Sequence, residues 1–363
     1  MGTLTIDGTV HLSQFWPTGK SDADTAKLIV GINPASFKFN GKATNIYFEA
    51  SAKGKDIKKV VSRGKITLRL QGIDAPELHY KMYGPLGMAL RVNLPPHFRK
   101  LTDAEFNKFK KANTPEYRQA FSETATVKLG NWLSTADTLK TVGSKKTIDC
   151  KFISKNIKIP SDAVDTYGRF VGDVNIKVDG KWQNVNHWVL ENGWAFVSLY
   201  NSMLIPEMKK YIKAAETGRK KIQRDIYTQF LPQKIPTLIN FDMQFRPPKT
   251  KPVVEKENGK VLNPKLFRRL TAYSIFKKAG INVGNTFLDY MNTKEDKGLY
   301  LRKDFFIAAN HEPDKQESLK VQFHKTIASF INNNFFSLRP EEMVFIEDDS
   351  ELVDKNNKPI NGF

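Results

Sequence analysis

The sequence predicts an α+β protein, with strands filling the first half of the chain and helices dominating its end. Three observations carry this reading. Ile66, Leu68 and Leu70 alternate with Thr67, Arg69 and Gln71, the period-two pattern of a strand with one buried face. Asp179-Gly180 is a strong hairpin turn between RFVGDVNIKV (169–178) and KWQNV (181–185). Residues 263–336 instead hold helix-like segments, NPKLFRRLTAYSIFKKAG, NTFLDYMNT and ESLKVQFHKTIASFINNN.

Taken in order, strands are expected at 10–15, 26–32, 36–40, 45–51 and 65–73. Residues 78–112 are basic and irregular, with Pro85, Pro95 and Pro96 breaking any long element. A helix is expected from Pro115 to about Ser134, because Thr114 is a good N-cap and Pro115 suits the first helical position. Strands resume at 145–157 and 169–178, and VNHWVLENG (185–193) reads as a short helix ended by Gly193. From Pro206 to about Tyr227, Met208, Ile212, Ala215, Ile222 and Ile226 form an apolar stripe beneath a lysine- and arginine-rich face. Five prolines between 231 and 260 mark a linker or wrapping arm. The expected organisation is therefore a first domain over 1–230, a proline-rich arm over 231–260, a mainly helical accessory region over 261–340 and an acidic tail over 341–363.

A chain of 363 residues, 40% apolar and 26% charged, is globular rather than disordered. No apolar run approaches the ~20 residues of a membrane span. The N-terminus shows neither a basic region nor the apolar run of a secretory signal, so a cytoplasmic location is expected. Cys150 is the single cysteine, which excludes an internal disulfide and a cysteine-based zinc site. The net charge of +19 points to a polyanionic partner, with nucleic acid ahead of a membrane surface. Residues 1–230 hold 36 basic and 21 acidic side chains, against 21 and 17 in the remainder, so the excess accompanies the strands.

Three fragments concentrate charge at strand ends: Ser21-Asp22-Ala23-Asp24-Thr25, Arg69 running into Asp74-Ala75-Pro76-Glu77, and Asp165-Thr166-Tyr167-Gly168-Arg169. Planar guanidinium groups match phosphate oxygens bidentately, and carboxylates can hold a hard cation or take a proton from water. Pro76 biases Ala75 to an extended backbone, which separates Asp74 from Glu77. His79, His97 and His187 lack metal-ligand spacing and read as loop or packing residues.

These fragments, in this order, resemble the staphylococcal nuclease (thermonuclease-like) family over roughly residues 8–230. That family carries Asp-Gly-Asp-Thr on its first strands, then Arg-Leu-x-x-(Ile/Val)-Asp-(Ala/Thr)-Pro-Glu, then Tyr-Gly-Arg. DGKWQNVNHWVLENGWAFV (179–197) extends the similarity. The resemblance implies a five-stranded OB-type β-barrel with packed helices, enlarged by insertions. It implies metal carboxylates at Asp24 and Asp74 with Asp22 in support, one bound Ca²⁺, a general base at Glu77, phosphate-binding arginines at Arg69 and Arg169, and Tyr167 along the substrate groove. It also implies a Ca²⁺-dependent endonuclease acting on DNA and RNA with little sequence preference, in which water displaces the 5′-oxygen and leaves a 3′-phosphate. Defence against foreign DNA is one expected use, and residues 231–363 are expected to offer a surface for a protein partner. Two departures stand out: Ala23 replaces the usual glycine, and 43 residues separate Thr25 from Arg69, so Asp56 stands as an alternative first-strand ligand. The alternative function is a non-catalytic nucleic-acid- or protein-binding module on the same barrel.

Overall fold

In the computed structural model of the chain, five strands close a barrel. They are β1 (Gly2–His11), β2 (Thr25–Ile29), β3 (Lys65–Leu70), β4 (Lys145–Ile157) and β5 (Phe170–Val178). The structure is described for all residues except 16, 20, 32–33, 54–56, 83–100, 114–116, 222–232, 235–260, 294–297 and 334. β1 pairs antiparallel with β2 and β4, and β2 antiparallel with β3. β3 then runs parallel to β5, which pairs antiparallel with β4 and completes the circuit. This is the expected OB-type mixed barrel, in which closure removes the edges that an open sheet would expose. Leu4, Ile6, Leu28, Leu68, Leu70, Phe152 and Phe170 fill its interior. Burying each such side chain stabilises the fold by ~1.5–3 kcal/mol.

Most expected strands fall where the alternation places them. The first does not: β1 begins at Gly2 and has ended by residue 12, where a single 3₁₀ turn takes over. Gly8 weakens the alternation there, and its missing side chain admits β2, since a Cβ would lie 2.6 Å from the Ile29 carbonyl oxygen. Residues 45–50 form turns rather than a strand. Tyr47 is drawn inward to contact the Phe37 and Phe170 rings, and its hydroxyl donates to the Pro160 carbonyl. At the hairpin, Asp179 and Gly180 both adopt positive φ, the conformation that an Asp-Gly turn supplies.

Eight α-helices surround the barrel among the described residues: α1 (Asp103–Ala112), α2 (Ser122–Leu133), α3 (Val185–Glu191), α4 (Ile205–Lys221), α5 (Pro264–Lys278), α6 (Phe287–Asn292), α7 (Arg302–Ala308) and α8 (Pro313–Phe323). None is long and apolar enough to cross a membrane. α2 starts later than the sequence suggests, because the segment before it is claimed by tertiary pairing. Tyr117 exchanges backbone hydrogen bonds with Tyr80, and the Gln119 amide donates to the Glu77 carbonyl. Residues 114–116, where the helix start was expected, lie outside the described residues, as do 222–227 of the long basic helix, 83–100 of the stretch 78–112 and most of the proline-rich arm. The end of that stretch is not irregular but forms α1, capped by Thr102 and Glu105.

The C-terminal region is built into the molecule rather than appended to it. α5 buries Leu266, Phe267, Leu270 and Phe276 in a second core, where the Phe109 ring of α1 stacks on Phe276. Residues 343–345 pair with both 199–200 and 299–301. Leu352 and Val353 pair with Ala52 and Ser51, on the insertion between β2 and β3. These ladders bring α5 against the strand ends that carry the charged fragments.

Candidate active site

β3 places the first site residue by its pleat. Ile66, Leu68 and Leu70 face the barrel core, so Thr67 and Arg69 face outward. Arg69 lies opposite Thr25 of β2 on one side and Val171 of β5 on the other. Arg69, Thr67, Thr25, Arg169 and Val171 accordingly line one cleft of roughly 800 Å³. Asp24 arrives there because it directly precedes β2, and its carbonyl accepts the Leu70 amide. The long connection over residues 30–64 therefore leaves the pairing of β2 with β3 intact.

After Leu70 the chain turns at Gly72, whose φ is +75°. A Cβ there would sit 2.7 Å from the Tyr211 ring, so both conformation and space call for glycine. The turn delivers Ile73 and Asp74 onto residues 196–197 in a short antiparallel ladder. Arg69 then bridges the two buried aspartates. Its Nη1 lies 2.5 Å from Asp24 Oδ2 and its Nη2 lies 2.8 Å from Asp74 Oδ1. Asp24 Oδ2 also accepts the Ala75 amide at 2.9 Å, tying the first strand fragment to the Asp-Ala-Pro-Glu segment. Asp56, the alternative ligand, lies outside the described residues.

Glu77 is fixed through its backbone by Gln119, which is fully buried. The Glu77 amide donates to Gln119 Oε1 at 2.9 Å, and Gln119 Nε2 donates to the Leu262 carbonyl at 2.7 Å. Arg169 stands on the same cleft wall, held by Asp165: its Nε and Nη2 each lie 2.8 Å from Asp165 Oδ2. Tyr167 is 59% exposed, with the Arg169 guanidinium 5.3 Å from its ring centre. Asp22 also lines the cleft, and its Oδ1 is buried without a hydrogen-bond partner.

Two cations that sequence reasoning missed come from α5. Arg268 contacts Asp74 Oδ1 at 3.1 Å through Nη2 and pairs with Glu77 Oε1 through Nε. Lys265 Nζ lies 3.7 Å from Asp74 Oδ2 and donates to the Tyr200 hydroxyl at 2.9 Å. The only signal available was spacing: Lys265, Arg268 and Arg269 fall at i, i+3 and i+4, hence on one helix face.

The electrostatics follow from this packing. Burial alone would raise the Asp74 carboxyl, but Lys265, Arg268 and Arg69 outweigh it and hold the group well below the usual carboxylate range. Glu77 shifts the other way, pushed up by burial and by Asp74 and Asp24 despite Arg268. Asp22 is pushed well up by burial, Glu77 and Asp24. Neighbouring carboxylates are thus shifted in opposite directions, Asp74 down and Glu77 and Asp22 up.

Residues 67–227 match the family model described as staphylococcal nuclease homologue. The match begins inside β3, so Asp22 and Asp24 lie before it and reach the site through the β2–β3 register. No curated protein matches the chain.

Proposed function

Taking residues 67–227 as a staphylococcal nuclease homologue domain, we propose that the chain is a nuclease, a Ca²⁺-assisted phosphodiesterase that cuts DNA and RNA with little sequence preference. The observation that carries this reading is the convergence of Arg69, Asp24 and Glu77 on the cleft that Arg169 and Tyr167 also line, with Arg69 bridging Asp24 to the buried Asp74. The positive balance of the chain fits a polyanionic substrate.

In this reading Arg69 and Arg169 grip the non-bridging oxygens of the scissile phosphate, each pre-aimed by an aspartate. Glu77 takes the proton from the attacking water, and its raised proton affinity suits that task. The exposed Tyr167 ring offers a stacking surface for a base. A hard divalent cation fits the donors present. Asp74 Oδ2 and Asp22 Oδ1 are buried and accept no hydrogen bond, and carboxylate oxygens are what Ca²⁺ prefers. Among the described residues no three acidic, histidine or cysteine side chains converge into a cage. An ion would therefore be held by fewer than three of Asp22, Asp24 and Asp74, of which Asp22 and Asp24 line the cleft, with backbone and solvent oxygens completing its shell. When bound, it would supply charge neutralisation at the phosphate and polarisation of the water.

Two measurements test this. Substituting Arg169→Ala is expected to lower cleavage of single-stranded DNA by ~10²–10³-fold with the melting temperature nearly unchanged, the cost of losing one preorganised charge donor. Cleavage at the wild-type rate would exclude Arg169 from the site. Ca²⁺ at 100 times its dissociation constant is expected to stabilise the wild type by ~2.7 kcal/mol. Asp74→Asn should abolish that shift, and a wild type whose melting point ignores Ca²⁺ would remove the metal from the account.

One observation favours the alternative of a non-catalytic binding module. Arg268 and Lys265 already neutralise Asp74, and Arg268 also engages Glu77. Salt-sensitive nucleic-acid binding without cleavage in Ca²⁺ would support that reading.

A further inference from the structure

We propose that Lys265 and Arg268 are phosphate-binding residues, so that the C-terminal region supplies the second wall of the nucleic-acid cleft. This rests on the reading of the cleft as a phosphodiester site.

The two cations are held as parts of a built site. Lys265 sits in the first turn of α5, after the Asn263 cap, whose side chain accepts the Lys265 amide at 3.0 Å, and after Pro264. Its ammonium lies 4.3 Å from the Phe345 ring centre and 4.9 Å from that of Tyr200, while the Tyr200 hydroxyl accepts from it. The two rings hold the cation in place on one side, and Asp74 Oδ2 lies 3.7 Å from it on another. The side chain is 12% exposed, and its open side faces the cleft that Arg69 and Arg169 line. Arg268, one turn on, is 36% exposed on the same cleft and keeps a guanidinium fork beside Glu77 and Asp74. Asp74 thereby carries cations from two directions, Arg69 from the barrel and the α5 pair from the C-terminal region.

A second use of such an arrangement would be a detachable brake, with α5 shielding the carboxylates until substrate displaces it. The packing argues against detachment. Leu266, Phe267 and Leu270 of α5 are almost wholly buried, and Phe276 stacks on Phe109. The ladder 199–200, 343–345 and 299–301 fixes the ring residues Tyr200 and Phe345. Gln119 joins the Glu77 backbone to the Leu262 carbonyl, two residues before α5, and the Tyr80 hydroxyl donates to the Arg268 carbonyl. Lifting α5 would open a hydrophobic core and break the bonds that position Glu77. The helix is therefore a constant part of the cleft, and its cations face whatever enters it. An incoming phosphodiester exchanges partners with Arg268, releasing the Glu77 carboxylate as the guanidinium turns to the phosphate.

The test is the salt dependence of binding by the full chain to a single-stranded phosphorothioate oligonucleotide in chelator, where nothing is cut. Lys265→Met and Arg268→Gln are each expected to weaken binding and to lower the slope of log K against log salt by about 0.7, the value for one lost phosphate contact on a single strand. Arg268→Lys, which keeps the charge, should retain the slope. Lys320→Met on α8, outside the cleft lining, should bind as the wild type does. Melting curves report folding, and if Arg268→Gln does not fold, Lys265→Met carries the comparison. Unchanged slopes, or tighter binding by the variants, would overturn the proposal, the second outcome in favour of the brake. A wild type that binds with these slopes yet cuts nothing in Ca²⁺ contradicts the nuclease reading alone. One that cuts, with Lys265→Met and Arg268→Gln unaltered in slope, contradicts this inference alone.

Discussion

Replacing Arg69 with alanine is expected to cost the protein both its fold stability and its activity. The Arg69 side chain is 13% exposed, wedged between Asp24 and Asp74, whose side chains are 5% and 1% exposed. Removing one partner of a buried ion pair leaves an uncompensated charge, which typically destabilises by ~3–5 kcal/mol. Asp74 keeps Lys265 and Arg268, so the loss falls mainly on Asp24, which is left with two neutral donors, the Ala75 amide and the Thr25 hydroxyl. A denaturant titration of Arg69→Ala should show this directly. Adding Asp24→Asn should recover most of the stability, because the orphaned charge is gone, while cleavage stays lost. Arg69→Lys should sit between, since one ammonium cannot span two carboxylates as the guanidinium fork does. If Arg69→Ala melts like the wild type, the bridge between the strand fragments is not what holds the site together.

Glu77→Gln is expected to do the opposite, sparing the fold and removing the chemistry. Glutamine has the same shape, its carbonyl oxygen can still accept from Arg268, and the Gln119 bonds that hold residue 77 are to its backbone. What is lost is the ability to take a proton, typically worth ~10²–10⁴-fold in rate. The wild-type pH profile should carry the same signature. Glu77 works deprotonated, and burial beside Asp74 and Asp24 raises its proton affinity, so activity should fall on acidification through a value above the ordinary 4.5 of glutamate. The residual activity of Glu77→Gln should lack that acid limb. Wild-type rates in the variant would assign the proton to another group.

How much of this was legible in the sequence depends on the range of the contacts involved. The strand carrying Arg69 and the hairpin at Asp179-Gly180 were readable because alternation and turn chemistry are local. The bounds of β4 agree with the sequence, and those of β5 differ by one residue at its start, since both strands bury one face throughout. Local signals failed where tertiary contacts override them. Tyr117 and Gln119 sit in a plausible helix start but are drawn off to Tyr80 and Glu77. The charged fragments could be named from their residue types, yet their meeting depends on the register of β2 with β3 across a long insertion. Lys265 and Arg268 lie about 190 residues beyond Asp74 and carry no motif. The second core, the 343–345 ladder and the bonds from Gln119 and Tyr80 bring their helix to the barrel, and none of these is written in any short stretch of sequence.

The most direct test of the account is cleavage of an end-labelled single-stranded oligonucleotide by the full wild-type chain, in Ca²⁺ and in chelator, with Glu77→Gln alongside. The account predicts a ladder of 3′-phosphate products in Ca²⁺, none in chelator and almost none from the variant. An intact oligonucleotide in Ca²⁺, or an equal ladder from wild type and Glu77→Gln, would contradict it.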